Sequence, residues 1–157
     1  MEINVLIDEG LEGCLEVDWL QSLAEQVLAV QEAGSETEMG LVIANQNRVR
    51  QLNWSYLGKD EPTDVLAFSM LPTKQIPGIN FPLPPDGVQH LGEVIISYPQ
   101  AVIQAKEHQH SIKREVAILI IHGILHILGY NHKTPELERQ MSAKEAEILS
   151  NMEKALP

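Results

Sequence analysis

Residues 122–132 read HGILHILGYNH. His122 and His126 stand four residues apart in a Leu- and Ile-rich run. Four helical residues turn about 400°, or ~40° net, so both imidazoles leave one face of a helix, one turn apart. Gly129 is placed to end that helix in the left-handed conformation. The chain can then turn through Tyr130 and Asn131 and bring His132 back toward the same point. One histidine on an apolar helix is most often a hydrogen-bonded core residue. Three of them, with a helix-ending glycine between the second and third, favour ligation of one ion. Three neutral nitrogens leave a fourth position open, the pattern of a catalytic rather than a structural zinc site. The expected cofactor is one Zn2+ per chain, with Ni2+ or another divalent metal allowed by the affinity order. Cys14 is far off in sequence and reads as a small buried residue rather than a fourth ligand.

The same spacing occurs in the zinc-protease signature H-E-x-x-H-x-x-G-x-x-H. There the Glu takes a proton from water at the metal. Here that place is Gly123, which offers only close backbone approach or open space. A base must come from elsewhere, or the metal must suffice alone. Glu115 lies seven residues before His122, within about 20° on the same helix face. It reads as a supporting, substrate-orienting group, or as a surface charge paired with a neighbour such as Arg139.

Outward from this helix, INVLI (3–7), TEMGLVIA (37–44), TDVLAFSM (63–70) and LGEVIISY (91–98) read as strands. Residues 17–33 have helical apolar spacing, with Gly34 as the expected stop. Residues 45–58 read as a short helix capped by Asn45 or Asn47 and ended by Gly58. Residues 99–109, 111–128 and 135–154 read as three more helices, the last with Thr134 as cap and Pro135 at its first position. Residues 71–90 hold five of the nine prolines and read as a loop. The expected fold class is α+β: a single domain over 1–157, with a mixed sheet of about four strands packed against helices. The metal site falls on a C-terminal helix and the turn after it.

Composition narrows the function classes. The 157 residues and 44% apolar content suit one core. No apolar run reaches the ~20 residues of a membrane span, no signal peptide is evident, and one cysteine forms no internal disulfide. A cytoplasmic protein with no membrane partner is expected. The net charge is −11. Residues 1–40 carry ten acidic and no basic residues, so the remainder is close to neutral. Binding of nucleic acid by bulk attraction is excluded; a local site or a partner protein would be needed.

Four blocks then point to a family. HGILHILGYNH resembles the H-G-x-L-H-x-x-G-Y-D-H signature of the YbeY family of bacterial metal-dependent endoribonucleases. LNWSYLGKDEPTDVLAF (52–68) resembles that family's L-N-x-x-Y-R-x-x-D-x-P-T-D-V-L-S-F block, LGEVIIS (91–97) its L-G-D-I-x-I-S strand, and HSIKREVAILIIHG (110–123) the run into the metal helix. The resemblance implies zinc held by His122, His126 and His132, and hydrolysis of single-stranded RNA. It implies a role at the 3′ end of small-subunit rRNA and in ribosome quality control, with the ribosome or small-subunit proteins as partners.

Three positions depart from the family pattern. The usual Arg after the Tyr is Leu57, so a natural phosphate clamp is missing and Lys59 or Arg114 would have to bind substrate. The usual Asp before the third histidine is Asn131, which keeps hydrogen bonds but loses a charge. Ala67 replaces a Ser, and Asp64 remains as a turn organiser. Glu115, Arg114 and Asn131 are the expected supporting groups for catalysis. The alternative functions are a ribosome-associated metal-binding factor with weak or no nuclease activity, and another zinc hydrolase.

Overall fold

The computed structural model describes residues 1–70 and 87–152. Its strands are β1 (Glu2–Ile7), β2 (Thr37–Ala44), β3 (Val65–Ser69) and β4 (Gln89–Ser97). Its helices are α1 (Val17–Val30), α2 (Gln46–Leu57), α3 (Tyr98–Glu107), α4 (Ile112–Ile127) and α5 (Pro135–Met152). The strands form one sheet in the order β1-β2-β4-β3. β1, β2 and β4 run parallel, and β3 is an antiparallel edge strand on β4. The α+β class with a mixed four-stranded sheet is therefore as the sequence predicts.

Strand alternation divides the core into two layers. Met39, Leu41 and Ile43 of β2, with Val94 and Ile96 of β4, face the larger cluster that includes α1 and α4. Val42, Ala44, Leu66 and Ile95 point the other way, against Val49 and Leu52 of α2. Covering both faces explains why β2 and β4 are near-continuous apolar runs. α4 is the central helix: it touches β3, β4, α1, α3 and α5.

Two glycines set how closely these layers approach. Gly92 has φ +135°, and a Cβ there would overlap the carbonyl oxygen of Phe68 on β3. It follows an irregularity at which Glu38 pairs with His90 but Met39 pairs with Gly92, leaving Leu91 as the extra residue of a bulge. Gly123 lies on the sheet side of α4, and a Cβ would sit 2.5 Å from Val94 Cγ1 and 3.4 Å from Val65 Cγ2. Of its two sequence readings, close backbone approach is the one realised. Gly123→Ala overpacks this contact and should cost about 1–3 kcal/mol. Chemical denaturation of Gly123→Ala with and without Val94→Ala tests the cause: the smaller partner should restore part of the loss, and equal losses in both backgrounds would contradict it.

Element ends follow their caps. Asn45 Oδ1 accepts from Arg48 N at 2.8 Å, and Gly58 (φ +70°) closes α2. The buried carboxylate of Asp8, just past β1, accepts from Asn45 N and pairs with Arg48, fixing α2 over the sheet. Thr134 Oγ1 accepts from Leu137 N at 3.1 Å at the head of α5. Two boundaries differ from expectation. α1 ends at Val30 rather than at Gly34, because Glu32 takes the left-handed turn (φ 56°) and Ala33 N bonds back to Leu28 O. β4 starts at Gln89 rather than Leu91, since Gln89 N donates to Glu36 O at 2.8 Å. The expected loop at 71–90 otherwise lies outside the described residues, apart from Gly87 and Val88. Among the described residues no helix is long and apolar enough to cross a membrane.

Candidate metal centre

The C-terminal end of α4 and the turn after it bring the rings of His122, His126 and His132 near one another. Gly129 has φ +108°, its N–H bonds to His126 O, and Tyr130 N–H bonds to Leu125 O, each at 3.0 Å. This is the paired bonding of a Schellman ending, and glycine is what allows it. Tyr130 Oη accepts from Gln31 Nε2 at 3.2 Å, which ties the turn to the end of α1. Asn131 Oδ1 accepts from Lys133 N at 3.0 Å and tightens the next turn. On the sheet side, Ser69 Oγ donates to Ile127 O at 2.8 Å, so the end of β3 lies against the last turn of α4.

The rings converge. The His122 and His126 Nε2 atoms are 3.0 Å apart. Ring centroids are separated by 4.5 Å for His122–His126, 4.9 Å for His126–His132 and 5.8 Å for His122–His132. Nitrogens bound at ~2.0–2.1 Å to one tetrahedral ion stand roughly 3.3 Å apart, so the first pair is spaced for a shared ion. His122 Nδ1 is 2.8 Å from Glu145 Oε1 on α5. A carboxylate there holds the proton on Nδ1 and leaves the Nε2 lone pair facing the site. Burial, and then the proximity of His122 and His132, push the His126 pKa below its ordinary value, which favours the neutral imidazole. Imidazole nitrogens are the donor type that a borderline divalent metal takes.

The other expected site residues are spread more widely. Glu115 does not lie on the surface or beside Arg139: it is 1% exposed and faces the end of α3. Its Oε1 is 2.8 Å from His108 Nδ1 and 2.6 Å from His110 Nε2, and its Oε2 accepts from Gln104 Nε2 at 3.0 Å. Gln104 Nε2 also reaches Asp64 Oδ2 at 3.3 Å, before β3. Burial raises the Glu115 pKa, but the hydrogen bonds from His108, His110 and Gln104 outweigh it and hold the carboxyl below its ordinary range. The bond to Glu115 raises the His108 pKa. Arg114 occupies the first turn of α4, where its N–H bonds to the capping Ser111 Oγ. Lys59 is exposed just beyond the end of α2.

Glu145 was not singled out from the sequence. It lies between Met141 and Ile148, both buried against α4, and a carboxylate on an otherwise apolar stripe is the signal that could have found it. Glu145→Gln keeps the shape but weakens the hold on His122. Metal affinity should fall about 10–100-fold, measured by competition with a chromophoric chelator. Unchanged affinity would exclude this supporting role.

Comparison with known proteins gives a consistent picture. The family profile for endoribonuclease YbeY matches residues 14–153. An endoribonuclease YbeY of Dehalococcoides mccartyi is 44% identical over 146 residues, covering 91% of this chain and 85% of that protein. One of Geobacillus thermodenitrificans is 41% identical over 147 residues, covering 92% of each. The fold resembles the solution structure of a Thermotoga maritima protein, with a TM-score of 0.58 at 21% identity over 98% of this chain and 93% of that one.

Proposed function

The chain belongs to the YbeY family of endoribonucleases, and on that premise we propose that it cuts single-stranded RNA by metal-assisted hydrolysis. Its work is maturation of the small-subunit rRNA 3′ end and ribosome quality control, in the cytoplasm, alongside small-subunit proteins. The observation that carries the metal site is the convergence of three imidazoles at the end of α4, with Glu145 behind His122. His122, His126 and His132 would hold the ion, with zinc the first choice. A divalent ion bound there supplies Lewis acidity and a water of lowered pKa.

The chain's own groups do the rest. Glu145 orients His122, and the half-buried site favours the neutral form of His126. Asn131 shapes the turn that carries His132. Lys59 and Arg114 supply positive charge for the RNA backbone. Trp54 and Tyr56 are exposed at the end of α2, where bases can stack on them. Glu115 supports the site at a distance by fixing α3 and the approach to β3 through Gln104 and Asp64.

Metal-loaded protein incubated with single-stranded RNA and with casein tests the proposal. RNA should be cut and casein left intact. Cleaved casein, or RNA cleavage that survives replacement of all three histidines, would contradict it. Position 57 gives a second check. Leu57→Arg restores a bidentate phosphate partner beside Lys59. RNA binding should tighten, and its salt dependence should steepen by about 0.7 in log–log slope, one single-strand phosphate contact. An unchanged slope would mean that no phosphate passes the end of α2.

A further inference from the structure

We propose that His108, His110 and Glu115 form a second transition-metal site, separate from the three histidines at the far end of α4. Ligand atoms from all three residues lie within 4.8 Å of one another. His108 Nδ1 and His110 Nε2 both converge on Glu115 Oε1, at 2.8 and 2.6 Å. Two imidazoles and one carboxylate are a donor set for Zn2+, Co2+ or Ni2+ rather than for Mg2+ or Ca2+, which take mainly oxygen.

Two features set this cluster apart from an ordinary buried carboxylate with its hydrogen bonds. The first is the backbone that makes it. α3 ends at Glu107, and Gln109 takes the left-handed conformation (φ 57°), with its N–H on Lys106 O and His110 N–H on Ala105 O. A non-glycine residue pays for that conformation, and the result is that His110 turns back toward the residue His108 already reaches. The second is access. Glu115 is almost fully buried, but the His108 side chain is 55% exposed and that of His110 20%. An ion would have one buried anionic ligand, one exposed and one partly exposed imidazole, and an open side for water. Its entry needs the donors to spread by roughly half an ångström, to the ~3.3 Å spacing of ligands on a tetrahedral ion.

The spacing along α4 also says what this site is not. Glu115 and His122 are seven residues apart, a rise of ~10.5 Å. Paired ions that share one phosphodiester stand ~3.5–4 Å apart. A metal at Glu115 is therefore no partner of the α4 C-terminal site in the chemistry. It would fasten the end of α3 to the start of α4 and, through Gln104 and Asp64, to the approach to β3.

The test is zinc stoichiometry on chelator-stripped full-length protein, titrated against a chromophoric competitor. The unaltered chain should bind two equivalents. His108→Ala/His110→Ala should bind one, and so should His122→Ala/His126→Ala/His132→Ala. X-ray absorption of the zinc-loaded triple variant should show two imidazoles and a carboxylate oxygen. Glu115→Gln, which keeps the side chain's shape, should also lose one equivalent, and it serves if the paired alanine variant does not fold. One equivalent in the unaltered chain, with none in the triple variant, would overturn the second site. A triple variant that keeps both equivalents would instead overturn the three-histidine assignment, so the two failures read differently.

Discussion

His126→Ala is expected to lower single-stranded RNA cleavage by on the order of a thousandfold or more and to release one equivalent of metal. Without a metal, water keeps its ordinary, very weak acidity, so the loss falls on the chemical step. His126 is the middle ring of the cluster, 4.5 Å from His122 and 4.9 Å from His132 by centroids. Removing it separates the other two, which are 5.8 Å apart. The ring is only partly buried, so circular dichroism and the denaturation midpoint should change little. Cleavage kinetics and elemental analysis on the same preparation check both halves. Undiminished cleavage, or metal content equal to that of the unaltered chain, would contradict the assignment.

Gly92→Ala is expected to have the largest effect on stability. An alanine Cβ at φ +135° would overlap the Phe68 carbonyl, and its next neighbours are also backbone atoms, Phe68 C at 3.0 Å and Ser69 Cα at 3.1 Å. Backbone cannot rotate aside as a side chain can, so the end of β3 at Phe68 and Ser69 would have to leave β4. Phe68 pairs with Glu93 and Ser69 with Gly92, and Ser69 also anchors Ile127. The loss is therefore two pairings, the link to α4 and part of the smaller core. Several kcal/mol out of the ~5–15 kcal/mol typical of a domain would leave little soluble protein. Soluble yield and urea midpoint measure it. A midpoint within experimental error of the unaltered chain would show that the sheet can relax around residue 92.

Local periodicity explains how much of this fold was legible. The β-rich apolar runs in residues 37–44 and 91–97, and the cap and stop residues Asn45, Gly58, Thr134 and Gly129, act over a few residues and can be read directly. The three-histidine cluster is also local, because one helix end and one turn supply all of it. The rest depends on packing between distant segments. Gly123 reads as a missing base until Val94 is seen against it, and then it is a contact between α4 and the sheet. Periodicity sets Glu115 near the His122 face of the helix, but it does not say that His108 and His110 fold back onto it from the previous helix. That return depends on a left-handed Gln109, which no propensity favours. Glu145 is hidden for a similar reason: it meets His122 only because α5 doubles back along α4.

The central claim is that His122, His126 and His132 hold one ion at the end of α4. Crystals of the zinc-loaded protein, with anomalous data collected on both sides of the zinc edge, test it most directly. A strong anomalous peak is expected within coordination distance of His122 Nε2, His126 Nε2 and a His132 ring nitrogen, with Glu145 on the opposite nitrogen of His122. No anomalous density among those three rings, in crystals of protein that cleaves RNA, would contradict it.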